Sequence, residues 1–507
     1  MDRLQKAYQL LELNELDEAM RTCSDELNDN PHNPVALFMA AMACQRAERH
    51  GVAYNLLLRA GDISPHREQV WNNIGLSAVK MQRFDEAKKF LTHALEINPE
   101  CYPAINNLAL LHVYDCDPLK AIEYCDKSLA HDSTQWDVQE TRAYACLQMG
   151  NYKDGWQFYE HMIGKSPHRA WKPIKEHLPR WDGSKGKVVH VRGEQGIGDE
   201  IAFASCLPDA QKNAYVVLEC DHMLEGLFKR SFPDIAVHGT RFKGERDWGD
   251  KYPLDASILI GSLCTLYRND KSEFPGTPFL VADPERRVQW RALFDTLPGK
   301  KVGIAWTGGK KDTHAARRSL QLEQLVPLLK TPGISWVSLQ YKDPTEEINS
   351  LWNKHGIKVH HWARGAESRD YDDVAGMVSE LDLVITVTTA AVDLCGGLGK
   401  PCWVFVPNKP HWRYAGTGED KCWYKSVRLF RQTEEWSSVI ERVANELASF
   451  HWDGQPSTAG IHGPAVLDHR PVVGAGVDQP ASYLAAPGYK TGTDGVYVYP
   501  ISASVAV

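Results

Sequence analysis

A helical solenoid followed by two α/β lobes is the fold class this sequence predicts, and three observations predict it. Ala19, Ala53, Ala87 and Ala121 stand 34 residues apart, and Pro31, Pro65 and Pro99 keep the same step. A fixed period of that length belongs to stacked helical hairpins, in which each unit buries its apolar face only against its neighbours. Between about 186 and 450, short apolar runs alternate with helix-like segments, the pattern of parallel sheets covered by helices. From 452 onward Gly, Pro, Ala and Val dominate and charge thins out, which reads as an appended tail.

Composition sets the outer limits. A chain of 507 residues is too long for one core and comfortable for three domains. A net charge of -8 leaves no basic footprint for nucleic acid. The 12 cysteines are scattered without a C-x-x-C pair, which argues against a zinc site or a disulfide framework and suits a reducing compartment. The first twenty residues carry acids through their apolar stretch and do not read as a signal peptide. The longest apolar stretch, 381–399, contains Asp382 and Asp393 and reads as a strand followed by a buried helix, not a membrane span. The expectation is a cytoplasmic protein with no membrane span.

The repeats occupy residues 1–165. In the clearest unit, Gly75 and Ala87 let two helices approach closely, Trp71, Phe84 and Leu91 fill the space around them, and Pro99 marks a helix end. Ala53, Ala60 and Pro65 mark the unit before it, Tyr102, Leu108 and Ala121 the one after. A weaker fifth carries Ala143, Gly150, Tyr152, Gly155 and Tyr159. With Trp71, Ile74, Gly75, Phe84, Ala87, Leu91, Ala94 and Pro99 at their places, this region resembles tetratricopeptide repeats, in four to five units. The concave face of such a stack is expected to bind a protein partner; a purely structural cap is the alternative.

Two Rossmann-like lobes follow, over 186–285 and 298–450. Strands read at 187–191, 214–219, 256–260, 301–306, 334–339, 383–387 and 402–406, with helix-like segments such as 321–330 and 435–449. Ligands of such sheets bind beyond the carboxyl ends of the strands, which selects four loops. The first, Arg192-Gly-Glu-Gln-Gly-Ile-Gly-Asp199, has glycines that admit close backbone approach, and Glu219 stands about where a ribose acid would be expected, but the glycine spacing is wrong for a dinucleotide fingerprint. Asp199 is either a helix N-terminal charge or a catalytic group. The second, 307–318, holds a glycine pair and four cations, with Arg318 suited to a phosphate or merely part of a solvated loop. The third, Gln340-Tyr-Lys342, offers a lysine for a leaving phosphate or an ordinary surface charge. The fourth, Thr388-Thr389-Ala390, opens a helix whose first amides favour anions, unless a threonine simply caps it.

The order of these motifs is more specific than any one of them. Gly-Ile-Gly-Asp199, then Arg317-Arg318-Ser319-Leu320, then Val387-Thr-Thr-Ala-Ala-Val-Asp-Leu-Cys-Gly-Gly-Leu-Gly-Lys-Pro401 resemble the heptosyltransferase-like glycosyltransferases of family nine, which have the GT-B architecture. The segment Pro410-His-Trp-Arg-Tyr414, with Trp423-Tyr424 and Arg428-Leu-Phe-Arg431, is similar to the branch that carries N-terminal tetratricopeptide repeats. The resemblance implies an inverting, metal-independent transfer from a nucleotide-diphospho-sugar, without a cofactor, to a protein or glycan acceptor presented by the repeats. It implies that Asp199 is the catalytic base. It implies a donor side formed by Gly198, Trp306, Thr307, Arg318, Gln340, Lys342, Thr388, Thr389, Ala390 and Asp393, with Lys342 near a phosphate-binding lysine of O-GlcNAc transferases. Two positions depart from the family: Thr388 replaces an aspartate and Asp393 a histidine. Those departures keep open a second expectation, a non-catalytic repeat scaffold with a degenerate transferase region. Asp370-Tyr-Asp372 has the letters of a metal motif but falls where a helix cap is expected. The short connection from the repeats predicts that the array docks on the first lobe, and Asp494-Gly495 predicts a small hairpin in the 452–507 tail.

Overall fold

The computed structural model describes residues 2–452 apart from 167, 168, 170, 172, 173, 176, 243–245, 310–316, 368, 369 and 451. The hairpin expected in the tail, and most of the cation-rich loop after residue 309, lie outside the described residues.

The chain begins with five consecutive helical hairpins: α1 (Arg3–Glu12) with α2 (Leu16–Asp29), α3 (Pro34–Arg46) with α4 (His50–Ile63), α5 (Glu68–Lys80) with α6 (Phe84–Ile97), α7 (Tyr102–Tyr114) with α8 (Pro118–His131), and α9 (Trp136–Met149) with α10 (Tyr152–Tyr159). Capping chemistry starts several of them. The Asn33 side chain accepts from the Val35 and Ala36 amides at 3.1 and 3.2 Å, with Pro34 at the first helical position. Asp117 and Pro118 repeat the device at α8. Ala19, Ala53, Ala87 and Ala121 are fully buried. A Cβ on Gly75 would lie 2.6 Å from Leu91 Cγ, so only glycine lets α5 and α6 close to this distance. Inside each hairpin the chain turns through one left-handed residue: Asn14, Glu48, Gln82 and Cys116 at φ of 58 to 62°, and Gly150 at 81°. These five positions keep the 34-residue step, and four of them are not glycine.

After the repeats come two sheets. The first has β1 (Lys187–Arg192), β2 (Ala214–Glu219), β3 (Ala236–His238) and β4 (Ala256–Leu259) in the order β3-β2-β1-β4, all parallel. The second has β5 (Lys300–Ala305), β6 (Ile334–Ser338), β7 (Val359–His360), β8 (Leu383–Val387), β9 (Cys402–Val406), β10 (Asp420–Lys421) and β11 (Tyr424–Arg431). Its order is β10-β11-β9-β8-β5-β6-β7, and only β10 and β11 pair antiparallel. Every residue of β8 and β9 is buried, as parallel strands covered on both faces require. The segment expected as a helix over 321–330 is instead a 3-10 turn, Leu322–Leu325, followed by one helical turn, Val326–Leu329; Pro327 has no amide to carry one helix through both.

The sheet order places the loops. β5 has β6 on one side and β8 on the other, so the order reverses between β5 and β8 and leaves a crevice at their carboxyl ends. β1 stands in the same relation to β2 and β4. Helix α11 (Ile197–Ala204) follows β1, and its tip meets the helix Ala390–Leu398 that follows β8: a Cβ on Gly198 would lie 3.2 Å from Ala390 Cα and 3.0 Å from Asp393 Oδ2. A second contact between the sheet regions runs from Arg230, which reaches Asp372 at 2.7 Å and Asp283 at 3.1 Å.

The repeats pack on both sheet regions, not only on the first as their short connection suggests. Trp156 of α10 is fully buried and donates to the Arg268 carbonyl at 2.7 Å. Around it lie Tyr159, Phe203, Trp412 and Trp423, all with edge-on rings at 5.6 to 6.4 Å. Tyr144 of α9 stacks on Trp412, and Tyr152 packs on Phe274. Further along the array, Asp115 holds both Lys88 and Lys409, and the Arg317 guanidinium lies 3.8 Å from the Phe84 ring centroid. The segment 407–423 therefore ties the repeats to the second sheet. Among the described residues no helix is long and apolar enough to cross a membrane.

Candidate functional site

The candidate site lies where the tip of α11 meets the turn after β8. Gly196 precedes α11 in extended backbone, and its amide donates to Asp199 Oδ2 at 3.0 Å. Asp199 thus closes the first turn of its helix, as the capping reading expects. Its other oxygen has a second role: Oδ1 accepts from the Arg413 guanidinium at 2.7 Å. The Asp199 side chain is 24 % exposed and that of Arg413 12 %.

Arg413 is fixed from several sides. It also donates to Gln195 Oε1 at 3.1 Å, and its guanidinium lies 4.4 Å from the Trp412 ring. Gln195 has a left-handed backbone, φ 61°, and its amide donates to the Tyr159 hydroxyl at the end of the repeats. Tyr159 in turn lies under the Arg169 guanidinium, which is fully buried between Glu194 and Glu160. A continuous polar chain therefore runs from the last repeat hairpin to Asp199.

Across the contact, Thr389 is the cap of the helix Ala390–Leu398; its hydroxyl accepts from the Ala391 amide at 3.3 Å. Thr388 is buried, and its carbonyl accepts from Arg318 at 3.3 Å, which joins the loops after β5 and β8. Gly308 lies against Thr389, where a Cβ would meet Thr389 Cγ2 at 2.4 Å. Asp393 is buried in the first turn of the same helix, 3.7 Å from the buried ammonium of Lys421. Burial pushes the Asp393 carboxyl up, against the pull of Lys421 and Arg413, and pushes the Lys421 ammonium down. An acid near the expected diphosphate is thus met by a lysine placed beside it.

The remaining candidates support this turn or stand outside it. Gln340 is buried and pins the loop after β5: its Oε1 accepts from the Trp306 and Thr307 amides at 3.2 and 3.3 Å, and its amide donates to the Thr307 hydroxyl. The Trp306 ring is core and donates to Glu347 at 2.6 Å, so it presents no face to a ligand. Lys342 is exposed, with its ammonium 5.6 Å from the Tyr341 ring. Glu219 is not a free ribose acceptor. It is buried among His190, Arg192 and Arg246; burial alone would raise its carboxyl, but His190 beside it at 3.4 Å and the hydrogen bond from Arg246 hold it down at about 2. Asp370 accepts from the Asp372 amide at 3.1 Å and Asp372 pairs with Arg230, so this pair caps a helix and ties the sheets. Among the described residues no group of three His, Cys, Asp or Glu stands together as a metal would need.

A tetratricopeptide repeat family model matches residues 68–101, which cover α5 and α6. Protein FlbA of Caulobacter vibrioides is 30 % identical over 438 residues, a match that spans 81 % of this chain and 72 % of FlbA. The chain belongs to the FlbA family. Among solved structures, the crystal structure of MamA matches with 17 % identity over 32 % of this FlbA-family chain and 92 % of MamA, at a TM-score of 0.29. PilF of Pseudomonas aeruginosa matches with 23 % identity over 31 % of this chain and 72 % of PilF, also at 0.29.

Sequence reasoning missed the residues that join the two halves of the site in this FlbA-family protein. Arg413 was visible inside Pro410-His-Trp-Arg-Tyr414 without a role, and Gln195 and Lys421 had no signal of their own. Their meaning depends on partners distant in the chain, such as the 218 positions between Arg413 and Gln195.

Proposed function

We propose that this protein is a glycosyltransferase of GT-B type, inverting and metal-independent, which moves a sugar from a nucleotide-diphospho-sugar to a protein or glycan acceptor positioned by the repeats. One observation carries the reading: Asp199, at the tip of α11, faces the capped start of the helix Ala390–Leu398, with Arg318 beside it. The positive end of a helix and a fixed arginine suit a departing diphosphate. A carboxylate across from them suits a general base. In the proposed step the acceptor hydroxyl attacks the anomeric carbon, its proton passes to Asp199, and the sugar–oxygen bond to the diphosphate breaks. The twelve free cysteines support a cytoplasmic location.

A second reading, a repeat scaffold whose transferase region no longer turns over, is favoured by a separate observation. The tips at Gly198 and Ala390 are in contact, and Asp199 is engaged by Arg413. One experiment separates the two. Turnover of UDP-, GDP-, ADP- and CMP-sugars is measured with the full chain and with Asp199→Asn. Loss of about a hundred- to ten-thousand-fold in the variant is expected of a base. Donor binding without turnover by the native chain establishes the scaffold, and full activity in the variant removes Asp199 as base.

A further inference from the structure

The pairing of Asp199 with Arg413 has a chemical difficulty for a base. Oδ1 accepts from Arg413 and Oδ2 from the Gly196 amide, so each carboxylate oxygen already has a donor. An acceptor hydroxyl that hands its proton to Asp199 must first hydrogen-bond to one of these oxygens, and the Arg413 guanidinium occupies the approach to Oδ1. Release of Arg413 opens that oxygen.

The surroundings indicate where Arg413 then goes. Arg413 stands in the segment 407–423 that leaves β9, the strand next to β8, so it lies at the carboxyl edge where the helix Ala390–Leu398 begins. Gly198, adjacent to Asp199, touches Ala390. The Nε of Arg413 is buried with no acceptor among the described residues, so part of its hydrogen-bonding fork is unused while Nη2 serves both Asp199 and Gln195. The neighbouring charges are Asp393 with Lys421, a pair that neutralises itself, and the cation Arg318. A diphosphate entering at the helix start brings more negative charge than Asp199 carries and offers the planar fork a matching set of oxygens.

On the glycosyltransferase reading above, we propose that Arg413 is a donor-diphosphate ligand that Asp199 holds until the donor arrives, so that donor binding itself frees the base. The acceptor hydroxyl then meets a carboxylate with an open oxygen only when the sugar is in place. Premature deprotonation is avoided by the exchange of one arginine. Gln195, fixed by Tyr159 of the last repeat, keeps a second hold on the guanidinium while it changes partners.

The exchange makes Asp199 a competitor of the diphosphate, which a calorimetric cycle reads directly. UDP, GDP and ADP are titrated separately into the native full chain, Asp199→Asn, Arg413→Gln, Arg413→Lys and the double variant Asp199→Asn with Arg413→Gln. Asparagine in place of Asp199 removes the competing charge, so the nucleotide that binds is expected to bind about tenfold tighter. Arg413→Gln is expected to weaken it about tenfold or more, and Arg413→Lys to recover part of the loss. In the double variant the gain from Asp199→Asn disappears, because no arginine remains to be released. The Asp199→Asn arm leaves the buried arginine in place and so stands even where Arg413→Gln fails to fold. Unchanged or weaker binding in Asp199→Asn overturns the exchange while leaving the glycosyltransferase reading standing. A native chain that binds none of the three nucleotides at millimolar concentration overturns both.

Discussion

At the scale of single residues, the site is a set of charges that only some partners explain. Arg318 is anchored on the Thr388 carbonyl, and burial lowers its pKa from the usual arginine value. Arg318→Ala is expected to weaken binding of the active nucleotide about tenfold or more by calorimetry; unchanged affinity removes it from the donor side. Glu219 makes a different, structural prediction. Its carboxyl is held at about 2 in the fold against a usual 4.5, so the native state gains from its charge above 4.5 and loses that gain as pH falls through about 2. The contribution is about 3 kcal/mol. Glu219→Gln should therefore flatten the acid limb of the thermal-melting profile and, by leaving the Arg192 and Arg246 cations around a neutral amide, lower stability at neutral pH by about 3–5 kcal/mol. A variant with the native acid limb places the acid sensitivity elsewhere. Among these residues, legibility followed locality. Thr389 reads as a cap because its partner is two residues away, whereas Arg413 acquires meaning only when the fold brings it to Asp199.

At the scale of elements, the repeats were legible because their signal is translational: a residue type recurring every 34 positions survives noise in any one unit. The same period reappears in the backbone, where Asn14, Glu48, Gln82, Cys116 and Gly150 all take the left-handed turn. No residue preference announced that turn, since four of the five are not glycine. A left-handed residue with a Cβ costs about 1 kcal/mol, so Gln82→Gly is expected to add about 0.5–1 kcal/mol of stability, read as a higher denaturant midpoint at an unchanged slope. A fall instead would show that the Gln82 side chain holds the turn. Among strands, the longer apolar runs were visible, and β3, β7 and β10 were not, because two or three residues carry no alternation. β11 has eight residues but alternates exposed and buried positions beside charged ones, which its arginines obscured.

At the scale of the whole molecule, the repeats and both sheets share one aromatic cluster. Trp156, Tyr159, Phe203, Trp412 and Trp423 come from three regions of the chain and bury one another. Trp156→Ala should cost about 3–5 kcal/mol and lower a single calorimetric transition for the whole protein. A native chain in which the repeats melt separately from the sheets would remove that coupling. The same cluster has a consequence for how the protein is made. Tyr152 and its partner Cys422 are 270 positions apart, and the tryptophan pocket closes over a similar span. At about 5–20 residues per second, a ribosome needs tens of seconds to supply the covering segment after the last repeat has emerged. Through that interval the finished solenoid leaves Tyr144, Tyr152 and Trp156 uncovered, exposing to solvent the surface that later holds the molecule together.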